Sequence, residues 1–159
     1  MKVCKFEKIK DEDEMKQVIN CIQKEHPYVA VVPILAQLQE WLQAISISWF
    51  HEEDEVSHTT VNAIEAYCYA LANHLITDSH LNQEIKNRIL ECIKKIHILV
   101  EDKADLLIDK MIKAEVYGLS SDLFTYCLRQ QGLRAQTLDT GKLIPVSYTH
   151  LTLPTICSV

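Results

Sequence analysis

Apolar positions recur along the chain with two different periods, and the change of period divides it into elements. Met1-Lys-Val-Cys-Lys-Phe6 alternates small apolar and basic residues, as a short strand does when one face is covered. Asp11, followed by Glu14 at the third position on, has the form of a helix start. Met15, Val18, Ile19 and Ile22 then fall on one helical face until His26-Pro27 interrupts them. Tyr28-Val-Ala-Val-Val-Pro-Ile-Leu35 is a continuous apolar run rich in β-branched residues, which predicts a strand buried on both faces. Strand, helix and strand in that order form a βαβ unit with a parallel pair.

From Ala36 to Gln131 the period is helical almost throughout. A helix carrying Leu38, Trp41, Leu42 and Ile45 runs to the charged loop His51-Glu-Glu-Asp-Glu55. Four more are predicted at Thr59 to Ile76, Leu81 to Val100, Asp102 to about Ala114, and Ser121 to Gln131. Gly132 supplies a helix stop, and Leu133-Arg-Ala-Gln-Thr-Leu138 reads as a third strand. Val146-Ser-Tyr-Thr-His-Leu-Thr-Leu-Pro-Thr155 resembles an in-frame translation of a sequencing-library adapter. Residues 145–159 are therefore expected to be a non-native tail that packs irregularly, with the natural protein continuing past about Ile144.

Composition narrows the classes of function. The 159 residues are 48% hydrophobic and 24% charged, enough for one core, and 16 basic against 22 acidic residues leave a net charge of −6. That charge repels phosphate backbones and acidic membranes, so neither nucleic acid nor a membrane is expected as a partner. Cys4, Cys21, Cys68, Cys92, Cys127 and Cys157 are scattered singly, which predicts reduced thiols and, with no apolar leader, a cytoplasmic location. His51, Glu52, Glu55 and His58 lack the spacing of a zinc helix, and His74, His80 and His97 have no paired ligands. No catalytic residue and no metal ligand is nominated.

The frame Met1–Phe6, the strand Val29-Ala-Val-Val32, and Leu119-Ser-Ser121 followed by Gln131-Gly-Leu-Arg-Ala-Gln-Thr-Leu-Asp139 together resemble the N-terminal half of aspartokinases. The resemblance implies an α/β fold for residues 1–144, an amino-acid-kinase-like αβα sandwich truncated in this chain and carrying a large helical middle segment. It also implies ATP and magnesium as cofactors, aspartate as substrate, and ATP-dependent phosphorylation of the aspartate side-chain carboxylate in amino-acid biosynthesis. A homo-oligomer built through a C-terminal region outside this chain is a further implication. Lys5 matches the lysine that faces the ATP phosphates in that family. The family's glycines, threonine and serine are replaced by Glu7, Lys8, Ile9 and Lys10, and two further polar stations fall on Pro33, Ile34, Gln37, Gln39 and Glu40 and on Val116 and Tyr117. With those stations lost, the chain is expected to be inactive as it stands and to bind no ATP at useful affinity. The alternative is a non-catalytic helical interaction or regulatory module, which the run of amphipathic helices suggests.

Overall fold

A computed structural model describes residues 2–138 and the backbone of residues 155–158. Strand β1 (Val3–Lys5) leads into helix α1 (Glu12–Glu25) and strand β2 (Val29–Val32). Four long helices follow: α2 (Ala36–Phe50), α3 (Asp54–Leu75), α4 (Ser79–Glu101) and α5 (Leu107–Gln130). Strands β3 (Gln136–Thr137) and β4 (Thr155–Ser158) complete the described elements.

Short connections force α2, α3, α4 and α5 to run alternately up and down, and each packs on the next in sequence, with α5 returning against α2. The seam between them is apolar: Leu38, Leu42 and Ile45 of α2, Val61, Ile64 and Cys68 of α3, Ile85, Ile89 and Ile96 of α4, and Ile112, Val116 and Phe124 of α5 are all buried. The molecule is therefore a four-helix bundle with a small cap. The expectation of an αβα kinase-like sandwich is overturned, because the helices supply most of the core by packing on one another and no strand among the described residues exceeds four residues. A sandwich needs a wide sheet between helical layers.

The cap keeps part of the expected local order. β1 and β2 pair in parallel, Val3 with Val29 and Lys5 with Val31. The third expected strand does not extend that pairing. β3 is two residues long and lies antiparallel to β4, which in turn lies antiparallel to β2, giving the order β1-β2-β4-β3. Of the tail, residues 145–154 and 159 lie outside the described residues, so the reading of 146–154 has no structural counterpart here. Thr155–Ser158 forms a paired strand where irregular packing was expected, since its backbone satisfies the open edge of β2.

Helix ends follow the sequence closely. The Asp11 carboxylate accepts from Glu14 N at 2.9 Å, and Glu14 Oε2 accepts from Lys10 N at 2.6 Å, a reciprocal cap at the start of α1. His26 closes the helix in the left-handed region before Pro27. Asp78 caps α4 through Leu81 N at 2.9 Å. Two boundaries differ from expectation: α3 starts at Asp54, inside the expected charged loop His51–Glu55 and ahead of Thr59, and the two helices predicted at 102–114 and 121–131 are a single helix that starts at Leu107. Gly118 costs about 1 kcal/mol inside a helix, which the burial of Val116, Leu119, Leu123 and Phe124 outweighs.

Candidate functional site

The loop after β1 is where the resemblance implies a phosphate site. Lys5 is exposed at the end of β1, and the adjacent cleft of about 360 Å³ is lined by Phe6, Lys8, Lys10, Glu14, Gln17, Val18 and Cys21, without Lys5. A phosphate cradle needs free backbone N–H groups at a helix start. Here those of Lys10 and Glu14 are already bonded to carboxylates, and the first turn of α1 carries Glu12, Asp13 and Glu14. Of the other stations, Val116 is core and Tyr117 Oη donates to Gln39 Oε1 at 3.3 Å. The structure thus brings one residue of each of the two other stations together, as a contact between α5 and α2.

The opposite end of the bundle gathers more chemistry. There the turns α2–α3 and α4–α5 lie side by side, held by specific bonds. Trp49 Nε1 donates to the Asp102 carbonyl at 3.0 Å, and the Lys103 ammonium lies 5.3 Å from the Trp49 ring centre. Lys103 also pairs with Asp54 at 2.9 Å, and Ser46 donates to Asp109 at 2.5 Å. Beneath them the buried Ser48 and Ser57 hydroxyls bond at 2.6 Å, joining α2 to α3.

Between α3 and α4 at this end, His58 Nδ1 and His97 Nδ1 approach to 2.7 Å. The ring centres are 4.9 Å apart and the planes differ by 26°. With the two nitrogens lying between the ring centres, the imidazoles meet edge to edge. His58 Nε2 faces Glu101 Oε1 at 3.0 Å, and His97 Nε2 faces Asn62 Oδ1 at 3.1 Å. Partial burial, and then the proximity of His58, hold the His97 pKa below its ordinary 6.5.

Around these bonds the surface is apolar. Ten large hydrophobic side chains are exposed among the described residues, and seven of them, Ile47, Phe50, Val56, Ile98, Leu106, Leu107 and Met111, sit at this end. On α4 and α5 they share a face: Lys95 pairs with Glu115 at 4.0 Å, and Ile98 and Met111 lie one turn beyond each partner toward the turn, with Leu107 a turn further. The rim is acidic. Glu52, Glu53 and Glu55 are exposed and have no ionic partner among the described residues, against one such lysine on the rim, Lys110; Lys103 is paired with Asp54 and Lys113 with Asp109. Glu52 moreover holds a left-handed backbone, φ 55°, at a cost of about 1–2 kcal/mol.

Sequence reasoning placed His51–Glu55 in a solvated loop and left His58 and His97 apart; nothing in their spacing signals the pair. The apolar patch did leave a trace, in Ile98 standing off the Ile85-Ile89-Ile93-Ile96-Val100 stripe. The cysteines Cys4, Cys21, Cys68, Cys92 and Cys127 are free. No helix among the described residues is long and apolar enough to cross a membrane. Comparison with family models, with curated proteins and with solved structures finds no match for this chain.

Proposed function

We propose that this chain is a non-catalytic helical interaction module, and that the turn end of the bundle receives a basic amphipathic helix of a partner protein. The gathering of seven exposed large hydrophobics at one end carries this reading, because isolated soluble domains scatter such residues. The acidic rim decides the partner's charge. Glu52, Glu53 and Glu55 favour lysine or arginine flanking an apolar stripe, and they repel a second copy of this acidic chain.

A designed helical peptide of leucine and lysine, compared with its leucine and glutamate counterpart, tests the proposal by titration calorimetry. The basic peptide is expected to bind and to weaken with added salt. Substituting Phe50→Ser with Leu107→Ser should weaken it by about tenfold or more, or about 1.4 kcal/mol, while Tyr28→Ser at the sheet end leaves it unchanged. Equal binding of both peptides, or indifference to the Phe50 and Leu107 changes, would refute the reading.

A further inference from the structure

The His58–His97 contact constrains how many protons the turn end can hold. A hydrogen bond between two imidazole nitrogens needs one proton, not two. Since His58 Nε2 faces the Glu101 carboxylate, which only accepts, His58 Nε2 carries a hydrogen. Two arrangements then satisfy every atom. In the first, both rings are neutral: His97 Nδ1–H donates to His58 Nδ1, and the Asn62 amide turns its NH2 toward His97 Nε2. In the second, His58 is an imidazolium that donates from Nδ1 to His97 Nδ1, and His97 Nε2–H donates to Asn62 Oδ1, the orientation in the structure. Adding one proton converts the first arrangement into the second with no movement beyond an amide turn. A second proton has no such outlet, because two N–H groups and two positive charges would then face each other at 2.7 Å.

We propose that His58 and His97 form a proton-counting lock on the α3–α4 seam, closed with no proton or one added and opened when both imidazoles are charged. The carboxylates acting on the pair are Glu65 from α3 and Glu101 from α4. Among the described residues, no hydrogen bond or ion pair from α2 or α5 reaches either ring. Glu101 offsets charge on His58 directly, but the outer nitrogen of His97 meets only the neutral Asn62, so the second proton is uncompensated. The sense of the pH effect follows from His97. Its folded pKa lies below the unfolded value, so its contribution to stability is full above that value and is lost as pH falls through the folded one. Acid therefore opens the seam.

Opening acts where the partner would dock. His58 lies one turn from Glu55, and Glu101 adjoins Asp102, whose carbonyl holds Trp49. This consequence, the release of a bound helix in acid, rests on the interaction reading above; the lock itself rests on the imidazole geometry. The test therefore uses the free protein. Hydrogen-exchange protection factors are compared at about pH 7.5 and about pH 5, either side of histidine titration. Protection near residues 57–61 and 96–100 should fall about tenfold or more in acid, while residues 71–72 and 85–89 at the other end hold theirs. His97→Gln keeps an acceptor for His58 and cannot charge, so it should abolish the fall; His58→Gln does the same from the other side and serves if the first variant misfolds. A wild-type protein with no local fall, or a fall that persists in the folded glutamine variants, overturns the lock. Neither outcome touches peptide binding at neutral pH, which stands or fails by its own titration.

Discussion

Removing the Trp49 side chain tests whether the turn end is built as one unit. Trp49 is 4% exposed and joins three things at once: the α2 core face, the Asp102 carbonyl at the end of α4, and the Lys103 ammonium. Truncating a buried tryptophan to alanine costs about 3–5 kcal/mol through lost burial and the cavity left behind. Phenylalanine keeps most of the apolar volume. It forfeits the indole N–H bond, net about 0.5–1.5 kcal/mol, and part of the cation–ring attraction, about 0.5–1 kcal/mol. Trp49→Phe is therefore expected to cost about 1–2.5 kcal/mol and Trp49→Ala about twice that. Urea unfolding followed by far-ultraviolet circular dichroism measures both, with an unchanged m value showing that only the native state was affected. At about 2–4 °C per kcal/mol for a chain of this size, the alanine variant should melt roughly 6–20 °C lower. A cost below about 1 kcal/mol for Trp49→Ala would refute the reasoning, since a residue that ties two turns together cannot be removed so cheaply. Equal costs for the two variants would assign the whole effect to the polar contacts.

The two described glycines outside the tail should respond in opposite directions. A Cβ at Gly118 meets nothing within 4 Å, so Gly118→Ala should stabilise α5 by about 0.5–1 kcal/mol in the same urea assay. Gly132 has φ 86°, a left-handed backbone, and Gly132→Ala should cost about 1 kcal/mol despite equally open space. Burial pushes the Cys92 and Cys127 thiols up to about 12 and Cys68 higher still, so iodoacetamide at mildly alkaline pH should leave these three unmodified in the native protein. Half-buried Cys4 and Cys21 should react first, and peptide mapping that finds early labelling of Cys68 would contradict the packing described.

What the sequence made legible was local. The stripe Met15-Val18-Ile19-Ile22 predicted the buried face of α1, and Asp11 with Glu14 marked its start, because capping and helical periodicity act within a few residues. The parallel pairing of β1 with β2 followed from a helix-length crossover. The fold class failed for a reason of proportion. A βαβ opening and a closing G-x-x-A-x-x-L-D stretch drew attention to the two ends, while the four helices between them buried their stripes against one another instead of against a sheet. Periodicity shows which face of a helix is covered but not what covers it. The separate helices expected at 102–114 and 121–131 are one, because the residues between them, Val116 and Leu119, are buried on the same seam as those on either side. Lys5 was nominated on resemblance, and the structure leaves it exposed beside a cleft it does not line. The imidazole pair joins residues 39 apart, a separation that only the α3–α4 hairpin register makes short.

The sheet has a temporal meaning as well. The bundle helices meet their neighbours across short turns, contacts that form quickly during folding. β2 is different: β1 covers one edge early, but the other pairs only with Thr155–Ser158, Val29 with Ser158, inside the segment whose sequence reads as a non-native tail. During synthesis that backbone edge of Val29–Val32 therefore waits, unpaired, while every helix of the bundle is made. Such an edge is a template for pairing with other chains. The cap, rather than the bundle, is where a slow ribosome or a crowded refolding mixture would find this protein vulnerable, and a separately supplied peptide of residues 155–158 with its flanks is the natural agent to protect it.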